Sequence, residues 1–266
     1  MAGAEVGAVS LSADPTCYSP AGPLLAEKAV ISTSQLAFHR SRYRATLRLF
    51  RQLRHDLATP LSGAALHLEV AARRLGVGGD PDFKRVLENV RMGQLEVGYA
   101  SAMLEVLSEV VRSGDDDGSP FPLPAALANG IAQTASGAPR GVSVTGPVPA
   151  NAPALFGSRR QMQQAVADLT FHAVRVAEPN GVVAWELCGG GAEATLVCRW
   201  KGKIGDTRPE QVFSVARDAL GESRGLGLLL ARWTIECHGG EISGEQADDE
   251  ARFVARLPVY GEESAS

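Results

Sequence analysis

Phe50-Arg51-Gln52-Leu53-Arg54-His55-Asp56-Leu57-Ala58-Thr59-Pro60-Leu61 is the stretch on which the reading of this chain turns. It sets a His-Asp pair, and a threonine one helical turn later, inside a run of apolar residues at helical spacing. Leu47, Phe50, Arg54, Leu57, Leu61, Ala64, Leu68, Ala71 and Leu75 alternate steps of three and four, a coiled-coil seam broken only at Arg54. A long helix is predicted here. Gly76-Val77-Gly78-Gly79-Asp80-Pro81 ends it, and Pro81 suits the start of a second helix. That helix carries its own stripe of Phe83, Leu87, Val90, Val97, Leu104, Leu107 and Val111. Two such helices form an antiparallel hairpin whose stripe one copy cannot bury alone. Pairing two copies as a dimeric four-helix bundle buries it, so a homodimer is expected.

Outward from the hairpin the composition shifts on both sides. Residues 1–35 are rich in Ala, Ser, Gly and Pro with little amphipathic pattern, which predicts a flexible N-terminal leader before a hairpin over 36–113. Ser113-Gly114-Asp115-Asp116-Asp117-Gly118-Ser119-Pro120 is polar and helix-breaking, so 114–120 is expected to be a linker. The second domain is expected over 121–260, with a tail at 261–266. Its pattern predicts helices near 124–136, 158–177 and 224–237 and strands near 142–145, 181–188, 194–200, 241–244 and 252–259. The fold class is then α plus α/β: a helical hairpin followed by an α/β sandwich with a mostly antiparallel sheet and helices on one face.

The bulk properties agree with a folded two-domain chain. Its 266 residues, 45% hydrophobic and 21% charged, leave room for two modest cores. The net charge of −4 gives no reason to expect sequence-independent nucleic-acid binding. No apolar run approaches the roughly 20 residues of a membrane span, and the amino terminus lacks a signal-peptide pattern, so a cytoplasmic protein with no membrane partner is expected. Cys17, Cys188, Cys198 and Cys237 lack metal-ligand spacing and are expected to be reduced, buried thiols, with no metal site. A hairpin that brings Cys188 opposite Cys198 is the alternative.

A histidine that acts as a nucleophile must be exposed, mostly neutral near pH 7 and beside a group that manages its proton. His55 falls just off the apolar seam, and an imidazole with an ordinary pKa near ~6.5 is mostly neutral at pH 7. Asp56 can orient the ring or take its proton, and Thr59 lies on the same helical face as His55. Pro60 removes a backbone hydrogen bond and presses on the carbonyl of Asp56, which should loosen or bend the helix there. His39 and His67 have no such surroundings and are expected to be solvated.

The string His55-Asp56-Leu57-Ala58-Thr59-Pro60-Leu61 resembles the phospho-acceptor box of the bacterial two-component sensor histidine kinases, and its hairpin setting resembles their dimerisation and phosphotransfer domain. The resemblance implies His55 as the phosphorylated residue, Asp56 as general acid or base, and Thr59 as the residue that helps hold a dephosphorylating water.

Farther on, Arg224-Gly225-Leu226-Gly227-Leu228-Leu229-Leu230-Ala231 with His238-Gly239-Gly240 resembles the second glycine box of the same family's ATPase-like domain, which implies a Bergerat-like fold. In the family, glycines before a helix let backbone N–H groups approach phosphates. Here the box is degenerate. Ser223 stands at its first glycine, and in the helix around Gln163–Arg175 Asp168 and His172 occupy the family's two asparagine positions. A neutral imidazole at His172 is a poor match for Mg²⁺, while Arg175 keeps the basic residue. Counting back from Phe213, Arg199 falls on the adenine-reading aspartate and Lys201 and Lys203 on the two glycines. A shifted register would use Asp206 and put Arg208 and Glu210 at the glycines.

Degeneracy at Asp168, His172, Arg199, Lys201, Lys203 and around Gly225 and Gly227 implies impaired or absent ATP binding and no tightly bound cofactor. The preferred expectation is a phosphorelay protein. In it His55 exchanges phosphoryl groups with response-regulator receiver domains, Mg²⁺ comes with the receiver, and input arrives through another protein such as an upstream sensor kinase. An unconventional autokinase, in which Lys201, Lys203 and Arg175 replace Mg²⁺ with fixed charge, and a non-catalytic pseudokinase scaffold are the alternatives.

Overall fold

In the computed structural model the described residues are 32–76, 82–113, 118–135, 141–146, 153–189, 191–205, 208–214, 216–217, 223–224 and 226–261. Nearly all of the expected leader, most of the expected linker and the tail beyond Gly261 lie outside them, as do Cys17, Pro81, Asp206 and Gly225.

Helix α1 runs Thr33–Gly76 and α2 runs Phe83–Arg112. Asp82 caps α2 by accepting from the Arg85 backbone N–H at 3.3 Å. Pro60 does not end α1; its ring is buried, and the turns on either side carry the helix past the missing hydrogen bond. The face α1 buries meets the expected heptad seam only at Ala64, Ala71 and the half-buried Leu57. Phe38, Ala45, Leu49, Leu53, Pro60, Ala64 and Ala71 are buried, whereas Leu47, Phe50, Leu61, Leu68 and Leu75 are exposed. At about 100° per residue the two sets lie roughly a quarter-turn apart, so α1 has one face for its own chain and a second apolar row beside it. Helix α2 repeats this: Val86, Tyr99, Met103, Val106 and Val110 are buried while Phe83, Leu87, Val97, Leu104 and Val111 are exposed.

After the hairpin come β1 (Ser119–Pro122), α3 (Leu123–Ala135), β2 (Ser143–Thr145), β3 (Ala154–Gly157), α4 (Arg159–Val176), β4 (Val182–Gly189) and β5 (Glu193–Lys201). A 3₁₀ turn at Pro209–Gln211 leads to β6 (Ala216–Arg217), β7 (Ser223–Arg224), α5 (Leu226–Cys237), β8 (Glu241–Ala247) and β9 (Glu250–Pro258). Strands β2-β4-β5-β9-β8 form one mixed sheet, parallel only between β2 and β4. Period-two alternation splits its faces. Leu196, Cys198 and Trp200 of β5 and Phe253, Ala255 and Leu257 of β9 are buried in one core with Met162, Val166 and Leu169 of α4. The opposite face carries cross-strand ion pairs such as Arg256–Glu241 at 2.8 Å. Asp248, at φ 50°, turns β8 into β9 through a two-residue hairpin with Asp249.

One pairing is not foreseen by the sequence reading. Strand β1 pairs antiparallel with β3, so Ser119 and Pro120 are strand residues rather than linker. Two prolines in a four-residue strand read as turn signals, and only an edge position tolerates them. Cys188, Cys198 and Cys237 are free. Cys188 is exposed and stands opposite Thr195, while Cys198 stands opposite Trp185, so the Cys188–Cys198 pairing is not formed. Burial pushes the Cys237 thiol up to about 12 and Cys198 higher still, which keeps both protonated.

Helix α5 joins the two halves. Its Leu229, Trp233 and Cys237 share a core with Ala45, Leu49 and Leu53 of α1 and with Tyr99, Met103, Val106 and Val110 of α2. Trp233 Nε1 donates to Thr46 Oγ1 at 3.3 Å, and Glu236 bridges Arg48 at 3.3 Å and Arg232 at 2.9 Å. Just past α5, His238 is buried with Nδ1 donating to the Thr234 carbonyl at 2.7 Å and Nε2 accepting from the Ser158 N–H at 3.0 Å. Phe38 of α1 packs edge-on against that ring at 5.4 Å.

Candidate functional site

His55 stands on the outer side of α1, its side chain 87% exposed. Leu53, fully buried, and the half-buried Leu57 bracket it two residues on either side. On a helix those neighbours project about 160° away, so the contact they make with α2 and α5 turns His55 to solvent. Nδ1 of His55 lies 3.1 Å from Oδ1 of Asp56, whose side chain is 28% exposed. That contact suits an Nδ1–H donating to the carboxylate, which leaves the Nε2 lone pair facing water. Thr59 is exposed one turn on. His39 and His67, expected to be solvated, are each half-buried: His39 packs at 5.9 Å from Phe38, and His67 is bonded to Asn89 at 3.3 Å.

The residues placed on the degenerate nucleotide boxes do not form one cluster. Asp168, on α4, accepts from Gln164 Nε2 at 2.9 Å and lies against the first turn of α5, where a methyl group on Gly227 would come within 3.3 Å of its carboxyl carbon. Burial raises the Asp168 pKa from 3.8 to about 6, with the Gln164 hydrogen bond opposing. One turn along α4, His172 Nε2 is 2.8 Å from the carbonyl of Ile204, fitting an N–H that donates to it. Its ring lies 5.6 Å from Phe253 and 6.5 Å from Trp200. Arg175 points elsewhere, its guanidinium 5.5 Å over the exposed Phe171 ring.

Strand parity separates the basic residues from α4. Arg199 and Lys201 lie on the outer face of β5, Arg199 paired with Glu186 at 2.6 Å and Lys201 with Asp249 at 3.1 Å. The Asp249 and Glu178 carboxylates raise the Lys201 pKa. The side chain that points inward at this end of β5 is Trp200, which the box-counting from Phe213 passes over. A one-residue shift of register exchanges the two faces of a strand, and the inward row Leu196, Cys198, Trp200 was the signal for the correct one. Trp200, Phe253 and Phe213 pack at centroid distances of 4.9 and 5.3 Å. Lys203 is exposed, with its carbonyl accepting from Trp200 Nε1 at 3.2 Å. Arg208 precedes the 3₁₀ turn that contains Glu210. Gln246 was also missed: its side chain accepts from the Ile204 N–H at 2.8 Å and donates to the Gly202 carbonyl at 3.2 Å, fixing this loop.

Among the described residues no helix is long and apolar enough to cross a membrane. No family model matches the chain. It is 27% identical over 243 residues to the sensor protein CzcS of Cupriavidus metallidurans, covering 84% of this chain and 48% of that protein. It is 26% identical over 233 residues to the adaptive-response sensory kinase SasA of Prochlorococcus marinus, covering 82% of this chain and 60% of that protein. The chain thus spans about half the length of the curated relatives it matches. Among solved structures, the histidine kinase ThkA in complex with the response regulator protein TrrA aligns at a TM-score of 0.50 and 15% identity, covering 87% of this chain and 68% of that one. The sequence relatives are a sensor protein and a sensory kinase, and the fold is similar to that of a histidine kinase structure.

Proposed function

We propose that this chain is a phosphotransfer protein of a two-component relay, in which His55 takes a phosphoryl group from a phospho-aspartate of one receiver domain and gives it to another. The observation that carries this reading is the exposed His55 ring with Asp56 on its Nδ1 side. The Nε2 lone pair attacks phosphorus, the bond from phosphorus to the receiver's carboxylate oxygen breaks, and that oxygen keeps the electron pair. The imidazole becomes cationic as the P–N bond forms, and Asp56 accepts the Nδ1 proton; the reverse transfer returns it. Mg²⁺ comes with the receiver.

The second module's residues do not fit a magnesium nucleotide. Trp200 fills the inward position at the end of β5, the N–H at His172 Nε2 is directed at a backbone carbonyl and offers no lone pair there, and the Asp168 carboxyl sits against the first turn of α5 where anionic phosphates would approach. Each hydrogen bond lost to a buried polar group costs about 1–3 kcal/mol, against the roughly 4–8 kcal/mol of a millimolar to micromolar affinity. The exposed rows Leu61, Leu68 and Leu75 on α1 and Leu87, Val97 and Leu104 on α2 support homodimerisation into a four-helix bundle.

Incubation with a panel of ³²P-labelled phospho-receivers tests the proposal. Label on the wild type and none on the His55→Gln variant is expected, together with no binding heat for Mg-ATP in calorimetry. A saturable Mg-ATP isotherm with label passing from ATP to His55 would instead establish an autokinase. Receivers that bind and signal equally well through the His55→Gln variant would leave only a scaffold.

A further inference from the structure

His238, the residue that follows α5, is a buried titratable group outside the phosphotransfer site. Its ring is held at both nitrogens. Nδ1 donates to the Thr234 carbonyl of α5 at 2.7 Å, and Nε2 accepts from the backbone N–H of Ser158, the cap of α4, at 3.0 Å. A ring that donates at one nitrogen and accepts at the other is the neutral imidazole. Phe38 of α1 and Phe121 of β1 stand edge-on to it at 5.4 and 6.0 Å, and a methyl group on Gly157 of β3 would overlap its Cδ2 and Nε2. Gly239, next in the chain, lies beside Ser41 of α1, where a methyl would come within 3.4 Å of Oγ. One imidazole thus joins the start of the stem to both α4 and α5.

Proton uptake at Nε2 undoes that junction. The lone pair that receives the Ser158 N–H takes a proton from water, so two N–H donors face each other across the same 3.0 Å and the buried Ser158 donor loses its acceptor. Among the described residues, the elements packed against the ring bring more cations than carboxylates. Helix α1 brings His39 and the buried Arg42, whose charge acts on the adjacent Cys237 thiol. The first turn of α4 brings the exposed Arg159 and Arg160, and α5 brings Glu236, already engaged by Arg48 and Arg232. Strands β1 and β3 carry no ionisable side chain. Past the Gly239-Gly240 turn, Glu241 is paired with Arg256 of β9, and Tyr260 packs on Phe156. Surrounding cations add to burial in opposing a charge on the seated ring.

We propose that His238 is a proton-sensitive latch between the helical stem and the α/β module: neutral, it holds the start of α1 on the module, and protonated, it leaves its seat and lets that contact open. The seated ring carries no proton, whereas a released ring binds one below an ordinary imidazole pKa of ~6.5. The junction is therefore complete above ~6.5 and is lost as pH falls. One proton per opening makes the open population rise about tenfold for each pH unit below that value. Asp168 acts with the opposite sign, because its raised pKa strengthens the contact of α4 with α5 in acid, so it does not account for a loss there. The Trp233–Thr46 bond holds α5 to the stem farther along α1, which confines the opening to the turns before Thr46.

The test follows amide hydrogen exchange by mass spectrometry in the full chain at pH 7.5 and pH 5.5, corrected for the intrinsic pH dependence of exchange. The wild type is compared with His238→Gln, whose side-chain carbonyl can accept from the Ser158 N–H and takes up no proton, and with His39→Gln as a control. Between the two pH values wild type and control should lose about tenfold in protection over residues 33–45 while α4 keeps its own, and His238→Gln should show no such change. In parallel, nitrogen NMR of the wild-type histidine rings should show His238 as the Nδ1–H tautomer at pH 7.5 and taking up its proton as residues 33–45 open. A ring that stays neutral at pH 5.5 would overturn the latch, whether or not the start of α1 opens. So would an equal loss in His238→Gln, or a loss in α4 as large as in α1, which would be unfolding of the whole module. If the glutamine variant does not fold, the wild-type ring titration and exchange decide alone: coincident transitions support the latch, and transitions more than one pH unit apart refute it.

Discussion

Replacing Asp168 with asparagine should stabilise this protein near neutral pH and do little in acid. In the folded chain the carboxyl titrates at about 6 rather than 3.8, because burial between α4 and the first turn of α5 penalises its charged form more than Gln164 relieves it. A carboxyl whose folded pKa is raised holds its proton more tightly when folded. The stability linked to it is therefore complete below the unfolded value and lost as pH rises through about 6. At ~1.36 kcal/mol per pH unit the ionised group costs about 3 kcal/mol at pH 7.5 and about half a kcal/mol at pH 4. Partial solvent contact of the side chain brings the first figure toward 2 kcal/mol. Asparagine keeps the shape and the acceptor that Gln164 uses, and it removes the charge. Urea unfolding of wild type and the Asp168→Asn variant at pH 7.5 and pH 4 measures both differences. A gain of about 2–3 kcal/mol at the higher pH that shrinks several-fold at the lower one is expected. A gain of equal size at both values, or none at pH 7.5, would refute the assignment of a strained carboxylate at this position.

Gly157 lies at φ 151°, and a methyl there would run into the His238 ring and approach Phe38 to 2.9 Å. The Gly157→Ala variant should lose about 3 kcal/mol or more in urea melts. Trp233→Ala should cost about 3–5 kcal/mol and separate α5 from the hairpin, read as new proteolytic cleavage near Thr46 while α4 stays protected. Leu61→Glu/Leu68→Glu alters two exposed positions of the second apolar row. Light scattering should give a dimer for wild type and a monomer for this variant, with helix content by circular dichroism unchanged.

The helices were legible in the sequence because a 44-residue and a 30-residue helix repeat their apolar pattern many times, and the glycine-rich run Gly76-Val77-Gly78-Gly79 interrupts that pattern once in the sequence. Which apolar face turns inward was not. Leu49 and Leu53 are as apolar as Leu61 and Leu68, and what selects the first pair is α5, some 180 residues away in sequence. Periodicity finds a helix and its stripes; it does not carry the address of a distant partner. The same limit explains Arg199 and Trp200. Motif counting fixes distances along the chain, whereas burial in a strand depends on parity, and one residue of error exchanges a solvated arginine for a buried indole. His55 escaped this problem because its environment is local. Asp56 is its neighbour in sequence, and the exposed face follows from the helix alone.

The position of α5 also makes the second module part of the stem's own packing. Two helices in a hairpin offer each other one buried face, and the stem around Leu49, Leu53, Met103 and Val106 is closed by Leu229 and Trp233 from the third side. At ~25 cal/mol per Å², a buried leucine or tryptophan contributes on the order of 2–4 kcal/mol, so this wall is a substantial part of what keeps the stem rigid beside His55. In the proposed phosphotransfer role a fixed His55 ring is an advantage, because reacting atoms held in position lower the entropic part of the barrier. The α/β layer is anchored at α5 by Trp233–Thr46 and by the Glu236 pairs, and at the start of α1 by His238 against Phe38. Those two anchors brace the same helix that carries His55. The module's packing on α1 through Leu229 and Trp233 supports the segment that carries His55, and the loss of that packing would be felt first there.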